Sequence, residues 1–353
     1  MRFGVVIHGA EVIDSGTAAR ALDALGERGE VIATLGGAMG ATAVLDAGLE
    51  DRVAIVPGQL VSDALLDLAS GCDALLLLNH AKSRASGLAL GGMVARKVSS
   101  RIRVPMVHLD DGFFVVWSGR PPEGLMKVVR ELAPSEASAP ALGTADEGTR
   151  PVYGVIPGEN VWINGTVVGR ATSSKVVISS RGGLLSFEGL EIKQHGLGKL
   201  GEVDLFRAII RSGSVRRTSS RPLTAPRGTG TKVILVDHRA ESSAFRWEGV
   251  RAAVSVGDDT TRITTALLAR RGIPVIGITD GDEDGICSDR TAAEGSAALR
   301  LRPGNDDQLG ALVRREVFRG RDSVEYEGTL DDLIGSIKEL AGDKLLSVER
   351  KEV

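Results

Sequence analysis

The sequence predicts an α/β protein with two parallel-sheet domains and a small antiparallel β segment between them. Three observations carry this. Short apolar runs alternate with helix-sized stretches at the start and again at the end of the chain, the pattern of parallel sheets with right-handed crossovers. Between them the rhythm changes to brief β-branched runs joined by Asn-Gly and Gly-Gly turns. The 353 residues exceed one ordinary domain and suit two or three. The expected partition is a Rossmann-like or flavodoxin-like domain over residues 1–132, a linker over 133–150, a small β-rich segment over 151–231 and an α/β domain over 232–353.

The first domain is read as strand Phe3–Ile7, helix Ser15–Arg28 capped by Asp14 or Ser15, strand Val31–Leu35, helix Ala38–Leu45 and strand Val53–Pro57. Helix Ser62–Ala69, strand Ala74–Leu78, helix Ser86–Val98 and strand Val104–Leu109 follow. The stretch Ala133–Arg150 is rich in Ala, Pro, Ser, Gly and acids and has no periodicity, so it reads as a linker. Asn164-Gly165 between β-branched runs signals a hairpin. Lys175–Ser179 and Leu184–Phe187 continue the short strands, and Gly201–Arg211 reads as a helix. In the last domain the strands are Lys232–Val236, Ala252–Val256, Pro274–Ile278 and Ala298–Leu301. Helices are expected over Arg262–Arg271, capped by Asp259 or Thr260, over Asp306–Arg319, and over Leu330–Ala341 capped by Thr329.

Composition narrows the function. Aromatics are 3% of residues, too few for the stacking platforms that bind single-stranded nucleic acid. Cys72 and Cys287 lie far apart, which fits a reducing cytoplasm and no disulfide framework. The N-terminus lacks the apolar core of a signal peptide, and no run approaches the roughly 20 residues of a membrane span, so a cytoplasmic protein without membrane partners is expected. The net charge of −3 is unevenly spread: residues 151–231 hold 11 basic and 5 acidic groups. No acid occurs from Leu205 to Val236, whereas Arg207, Arg211, Arg216, Arg217, Arg221, Arg227 and Lys232 do. Such a basic stretch can track phosphates by counterion release. Arg216, Arg217 and Arg221 are the expected phosphate contacts; the alternative is a solvated linker between acidic domains.

Two strand-end clusters stand out. In the first domain His8, His80 and His108 fall at expected carboxyl ends of strands, beside Glu11, Asp14, Asn79, Asp110 and Asp111. All these ends open on one edge of a parallel sheet, where open α/β sheets hold ligands. His8, Glu11, Asn79, His80, Lys82 and His108 are therefore expected to line a ligand or cofactor pocket. Lys82 with the following helix start offers an anion site, although Gly87 and Gly91 also read as small residues for helix packing. Leu35-Gly-Gly-Ala-Met-Gly40 lacks the G-x-G-x-x-G spacing and a preceding acid, so a dinucleotide is not expected, and no P-loop sequence occurs. In the last domain three strands end in acids: Asp237, Asp258/Asp259, and the cluster Asp280, Asp282, Glu283 and Asp284. Like charges about 4 Å apart repel by about 4 kcal/mol at an effective dielectric of 20. The cluster therefore splays into water or holds a cation. Mg²⁺, with Mn²⁺ as substitute, suits Asp280, Asp282 and Asp284. Calcium is the rival ion, since the spacing copies the start of an EF-hand loop, but the twelfth position is Thr291.

Residues 232–285 resemble a TOPRIM domain, the Mg²⁺-binding fold of primases, topoisomerases and some nucleases. The match is Val233-Ile-Leu-Val236 with its following acid, Ser255-Val-Gly257-Asp-Asp-Thr-Thr261, and Gly272-x-Pro through Asp280-Gly-Asp282-x-Asp284-Gly285. The resemblance implies that Asp280 and Asp282 are the family's metal-binding aspartates and that Asp237 stands where the family has a catalytic glutamate. Asp is one methylene shorter, which gives weight to a binding-only role. From Val6-Ile-His8-Gly9 onward the whole chain also resembles an archaeal family described only as a domain of unknown function. The expected function is Mg²⁺-dependent phosphoryl transfer or phosphoester hydrolysis on nucleotide or nucleic acid, with Asp237 or His238 as acid/base and Asp284 in an outer position. The alternative is a non-catalytic regulatory protein that binds a small molecule or nucleotide in its Rossmann-like pocket. Oligomeric state is not legible.

Overall fold

The computed structural model describes residues 1–37, 40–56, 59–139, 148–164, 166–205, 208–213, 216, 230–237, 248–281 and 291–350. The chain forms two compact units, Met1–Ser220 and Arg221–Val353. The small β segment therefore belongs to the first unit.

The first unit begins with β1 (Arg2–Ile7), the short α1 (Glu11–Asp14), α2 (Thr17–Gly26), β2 (Glu30–Leu35), α3 (Ala41–Asp46), β3 (Val53–Ala54), α4 (Val61–Ala69) and β4 (Ala74–Leu78). There follow α5 (Arg84–Val98), β5 (Met106–Asp110), β6 (Phe113–Ser118), α6 (Glu123–Leu132) and β7 (Ser135–Glu136). The sheet order is β3-β2-β1-β4-β5-β6-β7. Strands β1 to β5 run parallel and β6 turns back antiparallel on β5. This is the Rossmann order, not the flavodoxin order, and its reversal falls between β1 and β4. The unbroken apolar run of β4 is buried along its whole length, as a central parallel strand covered on both faces requires. Strands β6 and β7 and helix α6 were not read from the sequence. Ser135–Glu136 pairs with β6 and Ala137 is buried, so the expected linker is ordered at its start; 140–147 lie outside the described residues.

The rest of the unit is antiparallel. It comprises β8 (Thr149–Val152), β9 (Asn160–Ile163), β10 (Thr166–Ala171), β11 (Val176–Arg181), β12 (Leu184–Glu188), β13 (Leu190–Ile192), α7 (Gln194–Leu200) and β14 (Ile210–Ser212). Two sheets result, β13-β10-β9-β14 and β12-β11-β8, with one apolar core between them that includes Val161, Ile163, Val168, Val176 and Ile178. The expected hairpin is present, with Asn164 at φ 50°. Gly182 and Gly183, both at positive φ, turn β11 into β12 as the type I′ geometry demands. The helix expected over Gly201–Arg211 is not formed. Gly201 ends α7 at φ 62°, and Ile210–Ser212 pairs with β9 instead, a tertiary pairing that overrides local propensity.

The second unit contains β15 (Lys232–Asp237), β16 (Val250–Val256), α8 (Asp258–Ala269), β17 (Val275–Thr279), β18 (Ala297–Leu301), α9 (Asp306–Glu316), β19 (Ser323–Glu325), α10 (Leu330–Ala341) and β20 (Leu345–Arg350). Its sheet runs β19-β15-β16-β17-β18-β20, with four parallel strands in the middle and antiparallel strands at both edges. Apolar positions of these strands pack with Leu309, Val313, Leu333, Ile334 and Ile337 in one core. Thr329 caps α10 as expected, in a reciprocal capping box with Asp332. The cap expected at Asp259 or Thr260 lies earlier: Gly257 precedes α8, and both aspartates sit in its first turn, where the helix dipole favours them.

Candidate ligand site at the carboxyl edge of the first sheet

Strand register assembles this site. Val6, Leu77 and His108 stand in one row across β1, β4 and β5, and Ile7, Leu78 and Leu109 in the next. The ladder continues one step, with His8 N–H donating to Leu78 O at 2.8 Å and Asn79 N–H to Leu109 O at 2.9 Å. The following row is therefore Gly36, His8, Asn79 and Asp110. Side chains two residues apart along a strand share a face. The row thus lies above Val6, Leu77 and His108 on the face covered by α4 and α5, since Val6 and Leu77 pack with Val61, Leu65, Val94 and Val98. It crosses the β1/β4 boundary, where the strand order reverses and open sheets leave a crevice.

Both ends of the row are hydrogen-bonded. His8 Nδ1 lies 3.0 Å from Gly36 O. A carbonyl only accepts, so the neutral ring carries its proton on Nδ1 and presents a lone pair at Nε2. Burial lowers the His8 pKa below its ordinary value, which keeps the ring neutral; the Glu11 and Asp110 carboxylates oppose this only in part. At the other end Asn79 Nδ2 donates to Asp110 Oδ2 at 2.7 Å, while the N–H groups of Ala81 and Asp111 donate to Oδ1 at 2.7 and 2.8 Å. Burial alone raises the Asp110 pKa, but the His108 ring, the Ala81 N–H and the Asn79 amide outweigh it and hold the carboxyl below the usual range. Because an ionised carboxylate only accepts, the Asn79 amide nitrogen must face it, and Oδ1 points away.

His108 sits below this row, fully buried on β5. Its Nε2 comes within 3.3 Å of Asp110 Oδ2 without hydrogen-bond alignment, and neither ring nitrogen has an aligned partner. Helix α5 passes close above it. A Cβ on Gly91 would lie 2.4 Å from His108 Nδ1, and one on Gly87 would lie 2.4 Å from Asp110 Oδ2. These two glycines let the helix approach the polar floor, so the helix-packing reading of them holds. His80 lies at the rim, 3.8 Å from Asp111. Glu11 is in the first turn of α1.

The cations expected to meet phosphate are engaged elsewhere. Lys82 Nζ donates to both carboxylate oxygens of Glu159 at 2.7 Å and to Ser212 O at 2.9 Å, with Lys82 and Glu159 side chains each 18% exposed. Arg216 donates through Nε and Nη2 to Asp14 and through Nη1 to Asp46 at 2.7 Å and Thr42 at 3.3 Å. It is an internal tie between α1 and α3. The Arg84 guanidinium lies over the Phe113 ring at 4.9 Å. Arg217 and Arg221 lie outside the described residues. Glu159, Ser212 and Asp46 were not legible as partners, because their pairing depends on contacts 77 to 170 residues apart.

At the second edge Asp237, Asp258 and Asp280 follow three adjacent parallel strands, as expected. Asp258 and Asp280 meet, and Asp237 stands apart. Asp258 Oδ2 accepts the N–H groups of Asp280 at 2.9 Å and Gly281 at 3.0 Å. The buried Asp280 carboxylate accepts the Gly304 N–H. Asp237 has Arg314 at 3.8 Å. Asp237 registers with Val256 and Val256 with Ile278, so Asp237 and Asp280 are two strand spacings apart sideways, about 12 Å between Cα positions once the two further residues are counted. Among the described residues no group of three His, Cys, Asp or Glu side chains is arranged to hold a metal ion. His238, Asp282 and Asp284 lie outside the described residues.

Fold and edge together define a two-unit α/β protein with a row of polar residues at a Rossmann-type reversal point, and no described helix is long and apolar enough to cross a membrane. The chain belongs to an archaeal family: the family described as uncharacterized protein conserved in archaea (DUF2117) matches residues 5–321. An uncharacterized protein of Methanocaldococcus jannaschii is 32% identical over 371 residues, covering 99% of each chain. The solved structure of a C2-type ketoreductase from a modular polyketide synthase is 15% identical, covers 89% of this chain and 67% of its own, and has a TM-score of 0.18, which carries no argument.

Proposed function

We propose that the first unit is a small-molecule recognition module whose ligand sits at the β1/β4 reversal point. The observation that carries this is the row Gly36–His8–Asn79–Asp110. Its outer members fix the two inner side chains, and the inner side chains keep unbonded acceptor atoms at the place where such sheets take ligands. A buried amide with its amino group spent on a carboxylate and its oxygen unbonded is costly unless water or a ligand completes it. A fragment screen by crystal soaking of the full chain tests the reading. Density within hydrogen-bond reach of His8 Nε2 or Asn79 Oδ1 is the expected result. Fragments that bind only elsewhere would count against it.

A second reading keeps the Mg²⁺-dependent phosphoryl chemistry of nucleotides or nucleic acid at the second sheet. One observation favours it: β15, β16 and β17 are adjacent and parallel, and each is followed by an aspartate at its carboxyl end. The TOPRIM resemblance belongs to this reading. Mn²⁺ affinity that disappears in Asp280→Asn/Asp282→Asn, with the fold intact by circular dichroism, would support it; unchanged affinity would remove it.

A further inference from the structure

The geometry points to a cationic nitrogen compound — an amine, amidine or guanidinium — as the class of ligand held between His8 and Asn79. This rests on the proposed recognition site and deepens it.

The argument starts from what the two inner side chains can offer. His8 Nε2 and Asn79 Oδ1 make no hydrogen bond among the described residues, and neither is sealed from solvent. Both are acceptors, because each is set by a partner that can only accept: the Gly36 carbonyl for the imidazole and the Asp110 carboxylate for the amide. Asn79 is 6% exposed, so its orientation is not free to reverse without stranding the amide nitrogen away from Asp110. The two acceptors stand on neighbouring strands, whose separation is about 4.8 Å. One ammonium, or two N–H groups on one carbon, can reach both at about 2.9 Å. A ligand that presents only acceptors to these atoms, such as phosphate or carboxylate, would face two lone pairs.

The charges point the same way. The carboxylates acting on the His8 ring are Glu11 and Asp110, and the buried His108 is an imidazole that also acts on it. The cations that could have reversed this field are held: Lys82 by Glu159, Arg216 by Asp14 and Asp46. Arg84 is drawn over Phe113. The start of α5 is also closed to an anion, since the Ser83 hydroxyl caps it and Gly154 packs against Ser86. The two fixed acceptors therefore have the Glu11 and Asp110 carboxylates acting on them rather than a phosphate-binding cation.

The test uses the full chain with selectively labelled histidine and asparagine, and NMR titration with guanidinium, benzamidine and ethanolamine against inorganic phosphate and acetate. The His8 ring and Asn79 amide signals are assigned from His8→Gln and Asn79→Leu. Saturable shifts of both signals by at least one nitrogen cation, and none by the anions, are expected. Affinity should drop at least tenfold in Asn79→Leu. If that variant fails to fold, His8→Gln carries the same expectation. Shifts of these signals by phosphate or acetate alone would overturn the ligand class and leave the recognition site standing. No shift by any probe would overturn both.

Discussion

The two parallel sheets put polar residues at the same place, their carboxyl edge, and use them differently. At the first edge side chains bond sideways, from strand tip to strand tip, and two acceptors are left over in the middle. At the second edge Asp258 and Asp280 bond to backbone, at the tip of β17 and at Gly304, while Asp237 faces Arg314. The lesson is that acids at strand ends also serve the backbone beside them. A carboxylate that accepts backbone N–H groups steadies the loop that follows the strand. What marks the first edge as a site is incomplete hydrogen bonding in a buried row.

Several substitutions can break or sharpen this contrast. The largest effect is expected from Arg216→Ala, which takes a guanidinium away from the buried Asp14 and Asp46 carboxylates. Removing one partner of a buried pair costs about 3–5 kcal/mol, read as a loss of stability in the first unit by denaturant titration. Adding Asp14→Asn and Asp46→Asn should restore much of it. If Arg216→Ala is neutral, the arginine is free for phosphate after all. Next is Gly91→Ala. Its Cβ would meet His108 Nδ1, and overpacking of this kind costs about 1–3 kcal/mol. Asp258→Ala should cost the second unit about 1–3 kcal/mol, by stranding two N–H groups, and leave Mn²⁺ affinity unchanged. A lost metal affinity instead would place Asp258 in the metal site of the second reading.

The smallest effects are in pH. Asp110 has a lowered pKa in the folded chain, so its contribution to stability is present above the unfolded value near 4 and is lost as pH falls through the folded value. Asp110→Asn should flatten the acid limb of the first unit's stability curve. His8 is also lowered, but it is a base: its folded state resists protonation, so stability falls as pH drops below about 6.5 toward the folded pKa. His8→Gln should remove that slope, and a slope that persists would place the titration elsewhere.

How much of this was legible in the sequence follows from range. The parallel cores were legible because apolar runs such as Ala74–Leu78 report burial directly. The grouping of His8, Asn79 and Asp110 was legible because strand ends of one parallel sheet share an edge. The partners were not. Glu159 for Lys82 and Asp46 for Arg216 come from elements far along the chain, and no local pattern announces them. Edge strands such as Leu345–Arg350 were missed because half-exposed antiparallel strands carry mixed residues. The helix expected at Gly201–Arg211 failed for the same reason in reverse: a plausible local pattern yielded to pairing of Ile210–Ser212 with β9.

The contact between Lys82 and Glu159 has a consequence for how the first unit comes together. It joins the loop after β4 to the loop before β9, and Ser212 at the end of β14 completes the ammonium's shell. A misplacement of the antiparallel layers by a single residue would separate this part-buried ammonium and carboxylate and leave each without the other. The joint is keyed: oily surfaces alone would tolerate sliding, whereas this one admits a single seating.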